Sequence, residues 1–222
     1  MRDLVKGLTP PLLWSAAERM RRSADRKPAH RERGEKDAAW YDQSFEKGAQ
    51  WKEHYTASRY YFLWTVIDDR IRHAGVRSVL EVACGPGQLA SLLADHGLGR
   101  YCGFDFSGKR IEQARVNRPD LEFLQADAFT TDLFDKVDYD CVVCTEFLEH
   151  VERDLEVIDR IRPGTRFYGT VPNFLYESHV RCFANVDEVA ARYGSRFRDL
   201  RVDPFLGDAK GKTYFLLDGV KA

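Results

Sequence analysis

The chain has 222 residues and a mass of 25.6 kDa, with 44% hydrophobic residues, 31% charged residues and a formal net charge of −1. This is typical of one compact domain with a short appendage, which can bury a core without disulfides or metal. No apolar run reaches the roughly 18 residues of a membrane span, and the first residues lack the apolar stretch of a signal peptide. Five cysteines, an odd number, favour a reducing compartment. We therefore expect a cytoplasmic protein, and the balanced charge does not predict a nucleic-acid partner.

Charge and composition divide the chain into three predicted regions. Residues 1–37 are predicted to form a basic arm with a short helix, since the first 36 residues carry ten Lys or Arg against five Asp or Glu. Residues 38–75 are rich in aromatic side chains and contain a helical stripe, which predicts a helical cap. Residues 76–222 are predicted to form the core. A basic arm can bind anionic lipid or nucleic acid, but a solvated tether is the simpler interpretation.

From residue 77 onwards, short apolar strands alternate with helices. The predicted strands are 77–84, 101–106, 121–127, 138–147, 165–173 and 212–222. This alternation is typical of βαβ units and of a parallel sheet covered on both faces, and we expect the last strand to be antiparallel to its neighbour. Ligands of such sheets bind beyond the carboxyl ends of the strands, where the strand order reverses.

A glycine-rich turn and three acidic residues mark the ends of the first three strands. Glu81 precedes the turn that contains Gly85 and Gly87, and Asp105 and Asp127 end the next two strands. Glycines allow a tight turn and the close approach of a ligand to the backbone. Carboxylate oxygens can each accept a hydrogen bond from a ribose hydroxyl. The pattern predicts a nucleoside pocket without a strong preference for phosphate.

The chain resembles the class I S-adenosylmethionine (SAM)-dependent methyltransferases in four segments, which keep the order and spacing of that family. The segments are VLEVACGPG (79–87), GFDFS (103–107), QADA (125–128) and DCVVCTE (140–146). The resemblance implies an α/β, Rossmann-like fold with a mostly parallel seven-stranded sheet, an antiparallel last strand, helices on both faces and an N-terminal helical cap. It also implies SAM as the cofactor.

The same resemblance implies a set of cofactor-binding residues. Glu81, Gly85 and Gly87 are expected to hold the methionine end of SAM, and Asp105 its ribose hydroxyls. Phe106 is expected to lie against the adenine, with Asp127 and Ala128 at the adenine edge. The expected set also includes Ala83, Gln88 and Thr145. Ala83 departs from the family, which usually has a glycine at that position.

The glycine-rich turn also fits a dinucleotide-binding fingerprint, G-x-G-x-x-A, with Asp105 twenty residues after Gly85. Glu81 argues against this alternative, because a carboxylate beside the turn would repel a pyrophosphate, whereas it can pair with an ammonium group. An NAD(P)-binding oxidoreductase is therefore a distant alternative, as is a binding module without catalytic activity.

A second constellation, Glu146, Glu149 and His150, follows the fourth strand, and His179 lies in the loop after the fifth. If the segment is helical from Glu146, the two carboxylates share a face with His150. The pattern resembles the metal site of small-RNA 2′-O-methyltransferases and, in its first three residues, that of ubiquinone-pathway O-methyltransferases. It implies Mg²⁺ or Mn²⁺ bound by all four residues, with Glu146, Glu149 and His150 assisting deprotonation of a hydroxyl. The alternatives are His150 as a metal-free general base, or a purely structural role.

Two further patterns allow more than one interpretation. Cys141 and Cys144 suggest a metal or redox motif, but residues three apart on a strand point to opposite faces, which favours two core cysteines. An aromatic cluster either packs the cap onto the sheet or forms a lid over the cofactor. Its members are Trp51, Tyr55, Tyr60, Tyr61, Phe62 and Trp64.

The acceptor is the least determined part of the predicted function. As a whole, the chain is similar to bacterial methyltransferases of polysaccharide and cell-envelope glycan pathways, which implies transfer to a sugar hydroxyl of a mannoside or polysaccharide precursor. The acceptor would then be a small molecule or an oligosaccharide. The first alternative is a small-molecule or phenolic acceptor with His150 as general base, and an RNA acceptor ranks third. A homodimer is the default assembly.

Overall fold

The structure is a computed structural model and describes residues 33–222. The strands are β1 (Ser78–Val82), β2 (Arg100–Asp105), β3 (Glu122–Gln125), β4 (Cys141–Cys144), β5 (Arg166–Pro172), β6 (Phe197–Leu206) and β7 (Thr213–Lys221). The helices are α1 (Ala38–Lys47), α2 (Tyr61–His73), α3 (Gln88–Asp95), α4 (Gly108–Asn117), α5 (Leu133–Lys136), α6 (Asp154–Asp159) and α7 (Val186–Tyr193). Short 3₁₀ turns cover Ala49–Trp51, Tyr55–Ala57, Leu148–His150 and Gly194–Arg196. Most of the predicted basic arm, 1–37, lies outside the described residues.

The seven strands form one sheet in the order β3-β2-β1-β4-β5-β7-β6. The strands β1 to β5 pair with one another in parallel, whereas β7 is antiparallel to both β5 and β6. The strand order reverses at β1, between β2 and β4, so the carboxyl ends of these three strands face the position where ligands of such sheets bind. The predicted fold, a Rossmann-like sheet with an antiparallel last strand, is confirmed.

The sheet is buried on both faces, as its continuous apolar strands predict. Leu80 and Val82 of β1 belong to one core cluster and Val79 to the other, because successive side chains alternate between faces. Cys141 and Cys144 are likewise divided between the two clusters and are buried free thiols. The interpretation of these cysteines as core residues is confirmed.

The segment before β1 forms two helices rather than one continuous cap. In α1, Asp42 accepts hydrogen bonds from the Ser107 hydroxyl (2.5 Å) and the Lys109 amide (3.3 Å), which attach the helix to the start of α4. In α2, the apolar stripe is buried and Arg70 reaches Asp203 on β6 (2.7 Å) and Asp218 on β7 (3.3 Å). The helix α1 therefore lies beside the carboxyl end of β2, near the predicted nucleoside pocket.

Several predicted boundaries are too wide, and three elements were not predicted. The strand β4 ends at Cys144 rather than residue 147, and β3 ends at Gln125 rather than 127. The predicted helix after β4 is replaced at its start by the 3₁₀ turn Leu148–His150, and α6 begins only at Asp154. The edge strand β6 and the helices α5 and α7 have no counterpart in the expectations. In residues 33–222, no helix combines the length and the apolar character needed to cross a membrane.

Candidate active site

The turn after β1 has a backbone that favours glycine at three positions. Ala83 and Gly85 both have φ of 55°, and Gly87 has φ of 77°. A side chain at φ near +60° is disfavoured, which explains why the resembling family has glycine where this chain has Ala83. A Cβ on Gly85 would meet open space, whereas one on Gly87 would lie 3.0 Å from the Phe123 ring and 3.2 Å from Ala114. Gly87 is therefore required by packing, and Gly85 borders a cavity.

Asp105 connects the end of β2 to this turn. Its two carboxylate oxygens accept hydrogen bonds from the amides of Gly85 (3.0 Å) and Ser107 (2.8 Å). Burial raises the pKa of Asp105, while the positive charge of Arg110 and the two amides oppose that shift. Each oxygen keeps a lone pair that can accept a hydroxyl hydrogen. The geometry suits the expected contact with a ribose.

Glu81 lies in the interior beneath the turn. It is 2% exposed, and the Tyr101 hydroxyl donates a hydrogen bond of 2.5 Å to its Oε2. Burial raises the pKa of Glu81 from 4.5 to about 8. A buried carboxyl that is largely neutral at pH 7 can still become charged when a cation such as an ammonium arrives.

Two adjoining cavities lie at this edge of the sheet. The adenosine-side cavity, about 180 Å³, is bordered by four of the expected cofactor residues: Asp105, Phe106, Asp127 and Ala128. The methionine-side cavity, about 440 Å³, is bordered by four others: Glu81, Gly85, Gln88 and Thr145. Both cavities share Tyr41, Ala83, Arg110, Glu146 and His150. A ligand as long as SAM can therefore extend from one cavity into the other.

Three of the expected cofactor residues differ from the expectation in their surroundings. Gly87 does not border either cavity. The Gln88 amide donates to the Glu53 carbonyl at 2.7 Å, so it also holds the segment between α1 and α2 in place. Asp127 is exposed, and its Oδ1 accepts a 2.7 Å hydrogen bond from the Phe129 amide. Gly87 therefore acts through packing, whereas Gln88 and Asp127 remain able to face a ligand.

Glu149, His150 and His179 form a compact cluster next to the shared wall of the cavities. One donor atom from each residue lies within 4.8 Å of the other two. The Nδ1 atoms of His150 and His179 lie 3.0 Å from the carbonyls of Ser178 and Phe174. A carbonyl only accepts, so each Nδ1 carries the proton and each Nε2 keeps its lone pair.

Glu149 is the residue in this cluster whose polar atoms are unsatisfied. It is fully buried, and neither carboxylate oxygen has a hydrogen-bond partner within residues 33–222. Burial and the nearby Glu146 raise the pKa of Glu149, and burial with His179 lowers the pKa of His150 to about 3. Buried polar groups without partners are rare and need a physical explanation. Two neutral imidazoles and one carboxylate are a donor set that fits a divalent metal ion.

Glu146 does not occupy the position expected for a metal ligand. Its backbone has φ of 52°, so the segment is not helical from Glu146 and the predicted shared face does not form. The Glu146 amide donates to the Thr170 hydroxyl (2.9 Å), and that hydroxyl donates to Glu146 Oε1 (3.0 Å). Burial raises the pKa of Glu146 to about 7, opposed by hydrogen bonds from Thr170 and Tyr60. The expectation of one four-ligand cluster is wrong in this respect, because Glu146 lies outside the three-residue group.

The aromatic cluster of the cap is divided between packing and the cavity. Trp51, Tyr60 and Trp64 border the methionine-side cavity, whereas Tyr55, Tyr61 and Phe62 do not. Tyr41 and Arg110 border both cavities, and sequence reasoning missed them. Tyr41 lies with its ring 5.3 Å from that of Phe106 and 6.1 Å from that of His150. In the sequence, the feature that could have indicated Arg110 as a site residue is its position five residues after Asp105, at the start of the next helix.

The sheet order, the turn after β1 and the acidic strand ends define a class I SAM-dependent methyltransferase fold. Residues 79–165 match the sequence model of a methyltransferase domain. In this segment, which runs from β1 to the residue before β5, the chain is similar to SAM-dependent methyltransferases.

Sequence relatives include three ubiquinone biosynthesis O-methyltransferases. That of Hydrogenovibrio crunogenus is 26% identical over 192 residues, 81% of this chain and 76% of the relative. That of Aliivibrio fischeri is 28% identical over 121 residues, 51% of each protein, and that of Pseudomonas entomophila is 31% identical over 116 residues, 47% of this chain and 48% of the relative. The chain thus spans about half the length of most of these relatives.

Solved structures share the fold at low sequence identity. The N-methyltransferase NodS from Bradyrhizobium japonicum, in complex with S-adenosylhomocysteine, superposes with a TM-score of 0.66 at 14% identity, covering 84% of this chain and 99% of that chain. Magnesium protoporphyrin IX methyltransferase from Synechocystis, with bound SAM, gives 0.62 at 14% identity and covers 84% and 98%. The methyltransferase domain of a bacterial Hen1 protein gives 0.57 at 19% identity and covers 72% and 97%.

Proposed function

We propose that the protein transfers the methyl group of SAM to a hydroxyl oxygen of a small-molecule acceptor. The observation that carries this proposal is the shared wall between the two cavities. Glu146 and His150 border both cavities, so the space proposed for SAM adjoins two residues that can handle a hydroxyl proton. SAM is already electrophilic at its methyl group, so the protein must align the acceptor, exclude water and remove a proton.

A divalent cation held by Glu149, His150 and His179 fits this task. When bound, such an ion lowers the pKa of a coordinated hydroxyl and stabilises the alkoxide. The chain contributes a carboxylate with two unsatisfied oxygens and two imidazoles, each oriented by a backbone carbonyl. Because imidazole suits transition metals and Mg²⁺ prefers oxygen, the set favours Mn²⁺ or a similar ion over Mg²⁺. Burial raises the pKa of Glu146 to about 7, which supports the proposal that it takes up the hydroxyl proton.

The acceptor is proposed to carry a hydroxyl next to a second oxygen, because one cation can chelate both. A phenolic acceptor is supported by the O-methyltransferase relatives of ubiquinone biosynthesis. A sugar hydroxyl of a mannoside or polysaccharide precursor is the second candidate. Both acceptors can pack on the rings of Trp51, Tyr60 and Trp64 that border the methionine-side cavity.

The proposal is tested by methyl transfer from radiolabelled SAM to catechols, to partially methylated mannosides and to RNA. We expect turnover of one of the first two classes, loss of activity in EDTA, and recovery that is greater with Mn²⁺ than with Mg²⁺. His179→Ala is expected to abolish recovery, whereas His73→Ala, at an exposed histidine on α2, keeps it. Full activity in chelator would remove the metal from the mechanism. Turnover of RNA alone would overturn the small-molecule acceptor.

A further inference from the structure

The cluster of one carboxylate and two imidazoles is assembled from two loops that are distant in the sequence. Glu149 and His150 lie in the 3₁₀ turn after β4, whereas His179 lies in the loop after β5. Two contacts join the loops at the cluster itself. The Val180 amide donates to the Glu149 carbonyl at 2.8 Å, and His150 Nδ1 donates to the Ser178 carbonyl at 3.0 Å. The distances among the three donor atoms therefore depend on how firmly the two loops are held together.

The segment after β4 does not continue as a helix, so its backbone carbonyls need other partners. The 3₁₀ turn ends at His150, and Val151 has an extended backbone with φ of −122° and ψ of 135°. In an α-helix the Leu148 carbonyl would accept from the Glu152 amide, but that amide donates to the Glu35 carboxylate at 3.0 Å. Leu148 and Val151 are buried. Since buried carbonyls are almost always paired, this segment requires donors from elsewhere in the fold.

Arg181, in the loop after β5, supplies these donors. Its Nη1 donates to the carbonyls of Leu148 and Val151, and its Nη2 donates to the carbonyl of Glu152 at 2.9 Å. The side chain is 13% exposed. One planar guanidinium thus bonds to three carbonyls of the segment that carries two of the three cluster residues. A lysine ammonium presents its hydrogens from a single point and cannot reproduce this fork.

Asp154, the first residue of α6, fixes the position of Arg181. Its buried Oδ2 lies 3.3 Å from Arg181 Nη1. The same carboxylate accepts hydrogen bonds from two residues of α7, namely Arg192 Nη2 (2.6 Å) and Nε (2.8 Å) and the Tyr193 hydroxyl (2.7 Å). Charge-assisted hydrogen bonds are strong and directional, and a fully paired buried network is rigid. The guanidinium is therefore held between a rigid anchor and the segment after β4.

We propose that Arg181 is a positioning residue of the proposed metal site, because it joins the loop of His179 to the turn of Glu149 and His150. This inference rests on the proposed metal-assisted function and adds a residue that does not itself bind the ion. Residues that orient metal ligands in this way typically account for about 10- to 100-fold in metal affinity. Arg181 thus sets the distances among the three donor atoms before a metal ion arrives.

Positioning and electrostatic repulsion predict changes of opposite sign when Arg181 is replaced. A guanidinium close to a cation site repels a metal ion, so removing its charge would strengthen metal binding if charge were its only effect. Removing the fork leaves three carbonyls without their donor and lets the two loops move relative to each other, which weakens metal binding. The direction of the change in metal affinity therefore distinguishes the two effects.

The test is calorimetric titration of the full chain with Mn²⁺, and separately with S-adenosylhomocysteine. Arg181→Met keeps an apolar chain at the position but removes the donors. We expect it to bind Mn²⁺ about 10- to 100-fold more weakly than the wild type and to keep its affinity for S-adenosylhomocysteine. Arg181→Lys, which keeps the charge without the fork, is expected to recover only part of the Mn²⁺ affinity.

The matched control is Arg162→Met. Arg162 also donates to three backbone carbonyls, those of Phe134, Val137 and Tyr139, but in the segment before β4, at the other end of that strand from the cluster. Both variants are expected to unfold at a lower temperature than the wild type, because both lose three hydrogen bonds. Arg162→Met is expected to keep the Mn²⁺ affinity of the wild type, which separates positioning of the site from general stability.

The assignment is overturned if Arg181→Met binds Mn²⁺ as tightly as the wild type or more tightly, or if Arg162→Met weakens Mn²⁺ binding to the same extent. If Arg181→Met does not fold, Arg181→Lys decides the question, and a Mn²⁺ affinity equal to that of the wild type would overturn the assignment. A wild type that binds S-adenosylhomocysteine but no Mn²⁺ would refute the proposed metal site itself, and this inference with it.

Discussion

Asp105 and Gly85 are joined by a 3.0 Å hydrogen bond from the Gly85 amide to Asp105 Oδ2, so the carboxylate that ends β2 fixes the turn that follows β1. One buried side chain therefore sets the shape of the turn. The other oxygen holds the Ser107 amide at the start of α4. The two elements that border the proposed nucleoside site are thus positioned by the same residue.

Asp105→Asn is expected to weaken S-adenosylhomocysteine binding by about 10- to 100-fold. An amide can accept with its oxygen alone, so the nitrogen must face one of the two backbone amides that now bond to the carboxylate. Loss of a charged hydrogen bond of this kind is worth about 1.5–3 kcal/mol. Calorimetry measures the affinity, with Asp120→Asn, at an exposed ion pair with Arg118, as the control. Unchanged affinity in Asp105→Asn would show that this carboxylate is not part of the site.

The affinity for SAM is expected to rise with pH up to about 8, because Glu81 must lose a proton to pair with an ammonium. Its pKa in the free protein is about 8, against an ordinary value of 4.5. Binding should release a proton near pH 7, and the affinity should rise by up to about tenfold per pH unit below 8. Calorimetry in buffers of different ionisation enthalpy measures the released proton. Glu81→Gln should remove both effects, and a wild type without proton release would contradict this role.

The same pKa predicts how the unliganded fold depends on pH. The folded state binds the Glu81 proton more tightly than the unfolded state, so this residue stabilises the fold fully below about pH 4.5. Its contribution decreases as the pH rises and is lost by about pH 8. Chemical denaturation at pH 6 and pH 8 is expected to show a smaller loss of unfolding free energy in Glu81→Gln than in the wild type. An equal loss in both proteins would show that another group causes the dependence.

Glu149→Met is expected to stabilise the metal-free protein by about 1–3 kcal/mol and to abolish metal-dependent stabilisation. The substitution removes a fully buried carboxyl whose oxygens have no partner in residues 33–222 and replaces it with an apolar chain of similar length. Thermal unfolding with and without Mn²⁺ measures both effects. Glu156→Met, at an exposed ion pair with Arg153, is the control and should respond to Mn²⁺ as the wild type does. A less stable Glu149→Met would show that the carboxyl has a structural role.

Gly87→Ala is expected to destabilise the fold by more than Gly164→Ala. Both glycines have positive φ, 77° and 83°, so both substitutions introduce backbone strain of about 1 kcal/mol. A Cβ at Gly87 also meets Phe123 and Ala114, whereas one at Gly164 meets open space. The difference in unfolding free energy therefore isolates the packing contribution. Equal effects would show that Phe123 moves aside at little cost.

The alternation of strands and helices between residues 77 and 173 could be predicted because each parallel strand is a short apolar run. The edge strand β6 could not, because half of its residues are exposed and its sequence combines Pro204 with several charged residues. Its partner β7 supplies the pairing that its own sequence does not indicate. The helix α7 was also missed, since it follows a long loop after β5.

The site was predictable where residues follow a strand directly and less so where distant segments meet. Glu146 was expected on a helix with Glu149, but a contact from Thr170, on the neighbouring strand, holds its backbone in the left-handed region. Tyr41 and Arg110 are 69 residues apart in the sequence and meet only because α1 is attached to the start of α4. Periodicity and motif spacing describe neighbours in the sequence, so they do not predict contacts between segments this far apart.

The central claim is that the acidic strand ends and the turn after β1 form a site for SAM. Calorimetric titration of the full chain with S-adenosylhomocysteine and, separately, with NADH tests it most directly. We predict saturable one-to-one binding of S-adenosylhomocysteine, weakened in Asp105→Asn, and no heat of binding with NADH. Binding of NADH without any response to S-adenosylhomocysteine would contradict the account.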